Sequence, residues 1–292
     1  MPVRWVADGG AGEVLALDAQ DLPVRRVAVA GARALASRPG GGCWVLGAGE
    51  EGKSRLARIE PEGEIVSVAT LGAARALVGT ADGAAILIEE TPAGRGIVRL
   101  EGDGRRTAIA ELAGAACLAI AGSDLLAGRD PGGLVLWRLA PAPEAVRGWG
   151  LARRRIVQVA PGPRPGWWWA LERAEGGGEA AAETLHLVDD ALAPRWSWTV
   201  GPGAAVLAPV PGTESLWVAG GRAPFVRRIG PGGAELEVPD LPLRGIAAGL
   251  AAADGGVAWC APGALLHLDC DGRLRRTQGG FASLRAIAAV FE

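Results

Sequence analysis

The 292-residue chain has no asparagine and no tyrosine, one lysine (Lys53), and two histidines, His186 and His267. Most of the groups that carry acid–base chemistry near neutral pH are therefore missing, since histidine alone has an ordinary pKa in that range. The four cysteines, Cys43, Cys117, Cys260 and Cys270, show no CxxC spacing, which argues against a structural zinc site. If VAWCAPGALLHLDC turns near Pro262 and Gly263, Cys260 faces Leu265 rather than Cys270. The expectation is four reduced, buried, non-catalytic thiols in a cytoplasmic setting. No apolar run approaches the ~18 residues that would span a bilayer, and MPVRWVADGG is not a charged leader followed by an apolar stretch. Neither charge sign is in large excess: the formal net charge is −2 and the pI about 5.9, which gives no general attraction to nucleic acid or anionic lipid.

What the chain has in abundance is glycine (46), proline (20) and tryptophan (11), within a hydrophobic content of 49%. The glycines and prolines recur at turns and so punctuate strands. Trp5, Trp44, Ile86, Leu125, Trp168, Trp217 and Trp259 mark one strand of a repeat, with spacings of 39, 42, 39, 43, 49 and 42 residues. A second apolar anchor follows each, at Leu17, Ile59, Leu100, Leu139, Leu187, Ile229 and Leu268, and turns such as EPEG, EGDG and DCDG come next. An Ala-rich strand precedes each anchor, as in ARALAS, ARALVG, ACLAIA, RIVQVA, AVLAPV, RGIAAG and RAIAAV. A repeat of this length with several short strands indicates a β-propeller, because one small sheet cannot bury both faces alone. The expected fold is a single all-β domain over residues 1–292, a seven-bladed propeller of four-stranded antiparallel blades. The chain begins on a Trp strand and ends on an inner strand, Ser283 to Glu292, so the two ends are expected to complete one blade.

The phrases P-x-R-G-I-A, D-G-G-V-A-W and H-L-D-C-D-G (Pro242 to Ala247, Asp254 to Trp259, His267 to Gly272) resemble NHL-repeat and gluconolactonase-like propellers and the virginiamycin B lyase group. The resemblance spans the chain but rests on fold-forming positions, so it speaks for architecture more than activity. It implies a divalent metal at the channel mouth held by Glu, Asp and Asn. Asp8, Glu89 and Glu172 follow Trp strands, but there is no Asn for the rest of the pattern. The two histidines read as occupants of a repeat position that holds Ala16, Arg58, Arg99, Arg138 and Arg228 elsewhere, and so as structural. No catalytic residue, metal ligand or cofactor is assigned.

The sharper signal is an arginine opening the inner strand in five of the repeats: Arg33, Arg75, Arg155, Arg244 and Arg285, with Ala116 and Ala205 in the others. Gathered at one mouth, these guanidinium groups would focus a positive potential on an anion or an acidic side chain. Acid-rich loops with Glu50, Glu51, Glu89, Glu90, Asp130, Glu172, Glu175, Glu179 and Glu183 offer the competing role of ion pairs. In the fifth repeat, Trp167, Trp168, Trp169, Trp196 and Trp198 form a cluster expected to lie between blades, with some indole reaching the surface. The expected function is a non-enzymatic platform for a protein or small anionic ligand. The alternative is a metal-dependent hydrolase or lyase of the families named above.

Overall fold

The computed structural model describes residues 3–92, 94–140, 142–150, 154–174, 182–220, 225–238, 241 and 245–290. Among them, seven four-stranded antiparallel sheets account for nearly all regular structure. The fold is a seven-bladed β-propeller. Its contacts divide it into two compact units, one of Met1–Ala113, Pro262–Leu265 and Gln278–Glu292, the other of Gly114–Ala261 and Leu266–Thr277.

In the first unit, blade 1 contains β1 (Arg4–Asp8), β2 (Glu13–Leu17) and β3 (Pro23–Ala28). Blade 2 has β4 (Ala34–Ser37), β5 (Cys43–Ala48), β6 (Ser54–Ile59) and β7 (Ile65–Leu71). Blade 3 has β8 (Ala74–Gly79), β9 (Ala85–Thr91), β10 (Gly94–Leu100) and β11 (Arg106–Glu111). In the second unit, blade 4 runs through β12 (Ala115–Ala121), β13 (Asp124–Arg129), β14 (Gly133–Arg138) and β15 (Glu144–Trp149). Blade 5 has β16 (Arg154–Pro161), β17 (Trp168–Ala174), β18 (Ala182–Val188) and β19 (Pro194–Pro202). Blade 6 has β20 (Ala204–Pro209), β21 (Leu216–Gly220), β22 (Val226–Gly230) and β23 (Gly233–Val238). Blade 7 has β24 (Ala248–Ala251), β25 (Val257–Ala261), β26 (Ala264–Leu268) and β27 (Leu274–Gly279), of which residues 264–265 and 278–279 belong to the first unit, and the chain then enters β28 (Leu284–Ala289), also of the first unit.

Strand composition follows from position in the blade. The second strand of a blade is covered on both faces, so its sequence is a continuous apolar run rather than an alternation, as in AILIE of β9 and LWVAG of β21. The outermost strand meets water, and LRRTQG of β27 and EAVRGW of β15 are polar and largely exposed. All seven anchors are buried. A buried indole N–H needs an acceptor, and three anchors find one in the turn of the next blade: Trp5 donates to the Gly41 carbonyl (3.0 Å), Trp44 to Gly83 (3.1 Å) and Trp217 to Gly255 (2.9 Å). These glycines have φ of 90°, 87° and 87°, a left-handed conformation that a side chain would strain, so the turn and the tie between blades depend on the same residue.

The unmatched ends join as expected. β28 pairs antiparallel with β1, with Ala288 opposite Trp5 and Ile287 opposite Val6, and completes the sheet order β28-β1-β2-β3. The joint is reinforced by Asp8, whose carboxylate accepts N–H groups from Ala11 (3.1 Å), Ala282 (2.7 Å) and Ser283 (2.7 Å).

Two expectations are corrected. Cys43, Cys117 and Cys260 are buried, but Cys270 is exposed because it lies in the Asp269–Gly272 turn, outside any strand. Burial pushes the Cys117 and Cys260 thiols up to about 12 and raises Cys43 further, so these three stay protonated and inert. Leu139 falls one residue beyond β14 and is only half-buried; the residue opposite Leu125 is Trp137, which fills the core there. No helix among the described residues is long and apolar enough to cross a membrane.

Candidate functional site

Strand register decides which of the repeated arginines are equivalent. In blades 1, 2 and 3 the inner-strand residues opposite the anchors are Ala288, Ala36 and Val78. Arg285, Arg33 and Arg75 each lie three residues before them. The inner strands β28, β4 and β8 pack side by side in that order, so three arginines of the first unit lie near the same end of neighbouring strands, although a register shift leaves Arg285 in a bulge opposite Ala7 and Asp8 and another sets Arg75 opposite Ile88. Arg155 has another register: it pairs with Arg173 and lies six residues before Pro161, the partner of Trp168. Its guanidinium is 3.8 Å from the Asp130 carboxylate. Arg244 lies outside the described residues.

The three equivalent arginines are exposed but differ in what their guanidiniums do. Arg33 is spent on the fold: it donates to Gly47 O (2.6 Å), Ser54 Oγ (2.6 Å) and, across to blade 3, Ala74 O (3.1 Å). Partial burial pulls its pKa below the usual arginine value, though a guanidinium remains charged. Arg75 pairs with Glu90, which also has Arg95 at 3.9 Å. Arg285 has no ion pair with any described residue. Its stem passes so close to Gly9 that a Cβ there would sit 2.9 Å from Arg285 Cγ, so glycine is what lets the side chain pass. Arg33 and Arg285 thus lack a carboxylate partner among the described residues, and Arg285 is the guanidinium left uncommitted.

A matching tie in the second unit shows what the Arg33 contacts are for. Ala74 N–H is accepted by Ser54 Oγ (2.8 Å) while its carbonyl takes Arg33. Likewise Ala204 N–H is accepted by Glu183 Oε2 (3.0 Å) and its carbonyl takes Arg173 (3.1 Å), which itself pairs with Glu183 at 2.5 Å. In each case the preceding blade satisfies both backbone groups of the residue that opens an inner strand.

The carboxylates implied by the family resemblance do not fit as metal ligands. Asp8 is filled by three backbone N–H groups. Glu89 accepts Gly72 N–H (2.7 Å) and pairs with Arg106 (2.6 Å), and Glu172 pairs with Arg154 and with His186 Nε2 (3.2 Å). Each sits on a different blade, and no group of three or more metal-ligating side chains occurs among the described residues. Burial alone would raise the Glu172 carboxyl, but hydrogen bonds from His186 and Arg154 hold it below its ordinary value.

His186 is a correction. It pairs with Ala170, whereas the arginines it was grouped with stand opposite anchors, as Arg58 does to Trp44, Arg99 to Ile86 and Arg228 to Trp217. The Trp167–Trp169 triplet displaces the pattern in blade 5. His186 Nδ1 lies 2.8 Å from Ser197 Oγ, and the ring meets Trp149 edge-on at 5.7 Å. Glu172, His186 and Ser197 come from three successive strands of one sheet, so the network clips β17, β18 and β19 together. Neighbouring Trp168 and Trp169 are buried in the cores toward blades 4 and 6. Trp167, Trp196 and Trp198 are half-buried, with successive ring centroids 5.8 and 5.9 Å apart.

No protein-family model and no curated protein matches the chain. Among solved structures it is similar to Kuenenia stuttgartiensis hydrazine synthase (TM-score 0.71, 12% identity, 96% of this chain and 92% of that one). It is also similar to a chain of the mitotic checkpoint complex (TM-score 0.70, 11% identity, 88% and 83%) and to apo AztD from Citrobacter koseri (TM-score 0.65, 13% identity, 99% and 97%). Likeness at this identity establishes the propeller fold and leaves function to the site.

Proposed function

We propose that this propeller, acting as one domain, is a binding platform without catalytic chemistry of its own, and that it receives a protein's acidic segment or a small anion at the arginine level of blades 1 to 3. The observation that carries the reading is Arg285, exposed and without an ion pair among the described residues, on the strand beside the one that Arg33 opens. An unpaired guanidinium offers its fork of donors to a carboxylate or phosphate, and Arg75 can exchange its exposed Glu90 partner for a better one. Structures of the mitotic checkpoint complex and of a nidogen/laminin complex lie among those similar to the chain, in keeping with a scaffold that meets other proteins. A reducing, cytoplasmic setting suits the three buried thiols. The reading as a metal-dependent hydrolase or lyase of the gluconolactonase or virginiamycin B lyase type has less support, because Asp8, Glu89 and Glu172 are engaged by protein groups.

The test is titration of the intact protein with fluorescein-labelled polyglutamate and, separately, with inorganic phosphate. Binding of at least one probe should weaken with salt. The Arg75→Ala/Arg285→Ala double variant should lose about tenfold or more in affinity at an unchanged melting temperature, since a hydrogen bond to a charged group is worth about 1.5 to 3 kcal/mol. Equal affinity in the two proteins, or no binding of either probe, overturns the proposal.

A further inference from the structure

A cavity of about 300 Å³ opens beside blade 1, walled by the β1–β2 turn, β2, β3 and the segment 278–282 that leads into β28. All of its walls belong to the first unit. The volume is at the small end of ligand pockets, roughly 300 to 1,000 Å³. Asp8 holds two of the walls together, since one carboxylate takes the N–H of Ala11 on the turn and those of Ala282 and Ser283 on the other side.

The side chains that reach the cavity have a definite chemistry. Glu13 is a half-buried acceptor held 3.2 Å from Arg26, whose side chain is mostly exposed and whose Nε and Nη2 have no partner among the described residues. Gln278 reaches its neighbour Gly279 O with its amide nitrogen at 3.3 Å, and its amide oxygen has no partner among the described residues. Leu15, Pro23 and the half-buried Phe281 supply apolar wall. Asp8 and Glu13 carry two negative charges against the one positive charge of Arg26, so a phosphate or carboxylate meets net repulsion here. A cation finds no free carboxylate, because Asp8 is filled by backbone donors and Glu13 is paired. What remains is a small site whose charged groups are already engaged, offering hydrogen-bond donors and acceptors on one side and apolar surface on the other.

We infer that this cavity is a second binding site, separate from the arginine level, for an uncharged polyhydroxylated ring of monosaccharide size. Hydroxyls both donate and accept, so vicinal hydroxyls can bridge the Glu13 carboxylate, the Arg26 guanidinium and the Gln278 amide, while the ring's C–H face lies on the apolar wall.

The experiment is saturation-transfer NMR on the intact protein with D-glucose, D-galactose, D-mannose and myo-inositol, with inorganic phosphate as the competitor. At least one of the four should show transfer with millimolar affinity that phosphate does not displace. Glu13→Gln and Gln278→Ala should each weaken it about tenfold, both variants melting as the parent does. Arg75→Ala/Arg285→Ala should leave it unchanged, which separates this site from the arginine level. No transfer from any of the four, transfer unaffected by both cavity variants, or displacement by phosphate overturns the inference.

Discussion

Replacing Asp8 by alanine is expected to destabilise the joint between the chain ends. Asp8 is 3% exposed, and its loss leaves the N–H groups of Ala11, Ala282 and Ser283 without their acceptor. Hydrogen bonds to a charged group contribute about 1.5 to 3 kcal/mol each, but these donors are only partly buried and water can reach some of them, so about 3 to 5 kcal/mol in total is the expected cost. That is a large share of the roughly 5 to 15 kcal/mol of a typical domain. Burial by itself would raise the Asp8 carboxyl, yet the N–H groups of Ser283, Ala282 and Ala11 hold it below the ordinary Asp value. A folded pKa below the unfolded one means that the stabilisation is present above the unfolded pKa of about 3.9 and is lost as pH falls through the folded value. Urea unfolding of parent and Asp8→Ala at a series of pH values measures this. The difference in midpoint should be constant from neutral pH to about 5 and shrink below about 4. A variant within about 0.5 kcal/mol of the parent at neutral pH, the size of an ordinary surface substitution, or a difference that does not change on acidification, would refute the reasoning.

Other perturbations probe the rest of the account. Removing residues 283–292 takes β28 from blade 1 and exposes the edge of β1, so the truncated chain should aggregate or melt far lower; a monomer with the parent melting temperature in light scattering and calorimetry would contradict the pairing. Glu172→Ala should cost about 1.5 to 3 kcal/mol by denaturant unfolding, because it leaves the mostly buried His186 without its acceptor while the half-exposed Arg154 is taken up by water, and a neutral effect would dismiss the clip across β17, β18 and β19. Trp217→Phe keeps most of the apolar volume but removes the indole donor to Gly255 O, so a loss of about 1 to 2 kcal/mol is expected, and no loss would show that the tie between blades 6 and 7 is idle.

The blades were legible because burial imposes a rule that one sequence can display: a strand covered on both faces must be apolar, and the seven anchors from Trp5 to Trp259 obey it at spacings of 39 to 49 residues. The closing strand was legible for a related reason, since an inner strand without a following Trp strand has to pair somewhere. Register within a blade was less accessible. Trp167, Trp168 and Trp169 offer three candidate anchors, and the choice moved His186 and Arg155 onto positions they do not share with other blades. The arginines at one level could be counted, but whether a guanidinium is spent or free depends on partners such as Ala74, 41 residues from Arg33. The cavity was invisible in the sequence because its walls meet across 275 residues, from Asp8 to Ser283. Cys270 is exposed because its place in the Asp269–Gly272 turn, rather than the apolar character of its side chain, decides its burial.

In the proposed function the exposed Arg285 guanidinium receives an anionic group, with Arg75 two inner strands away, beyond the strand of Arg33. A crystal structure of the protein soaked in selenate tests it most directly, because the anomalous signal of selenium locates the anion without reference to the protein's own density. The expected result is a peak within hydrogen-bond distance of the Arg285 guanidinium. Selenate bound only elsewhere, with Arg285 still free of any anion, would contradict it.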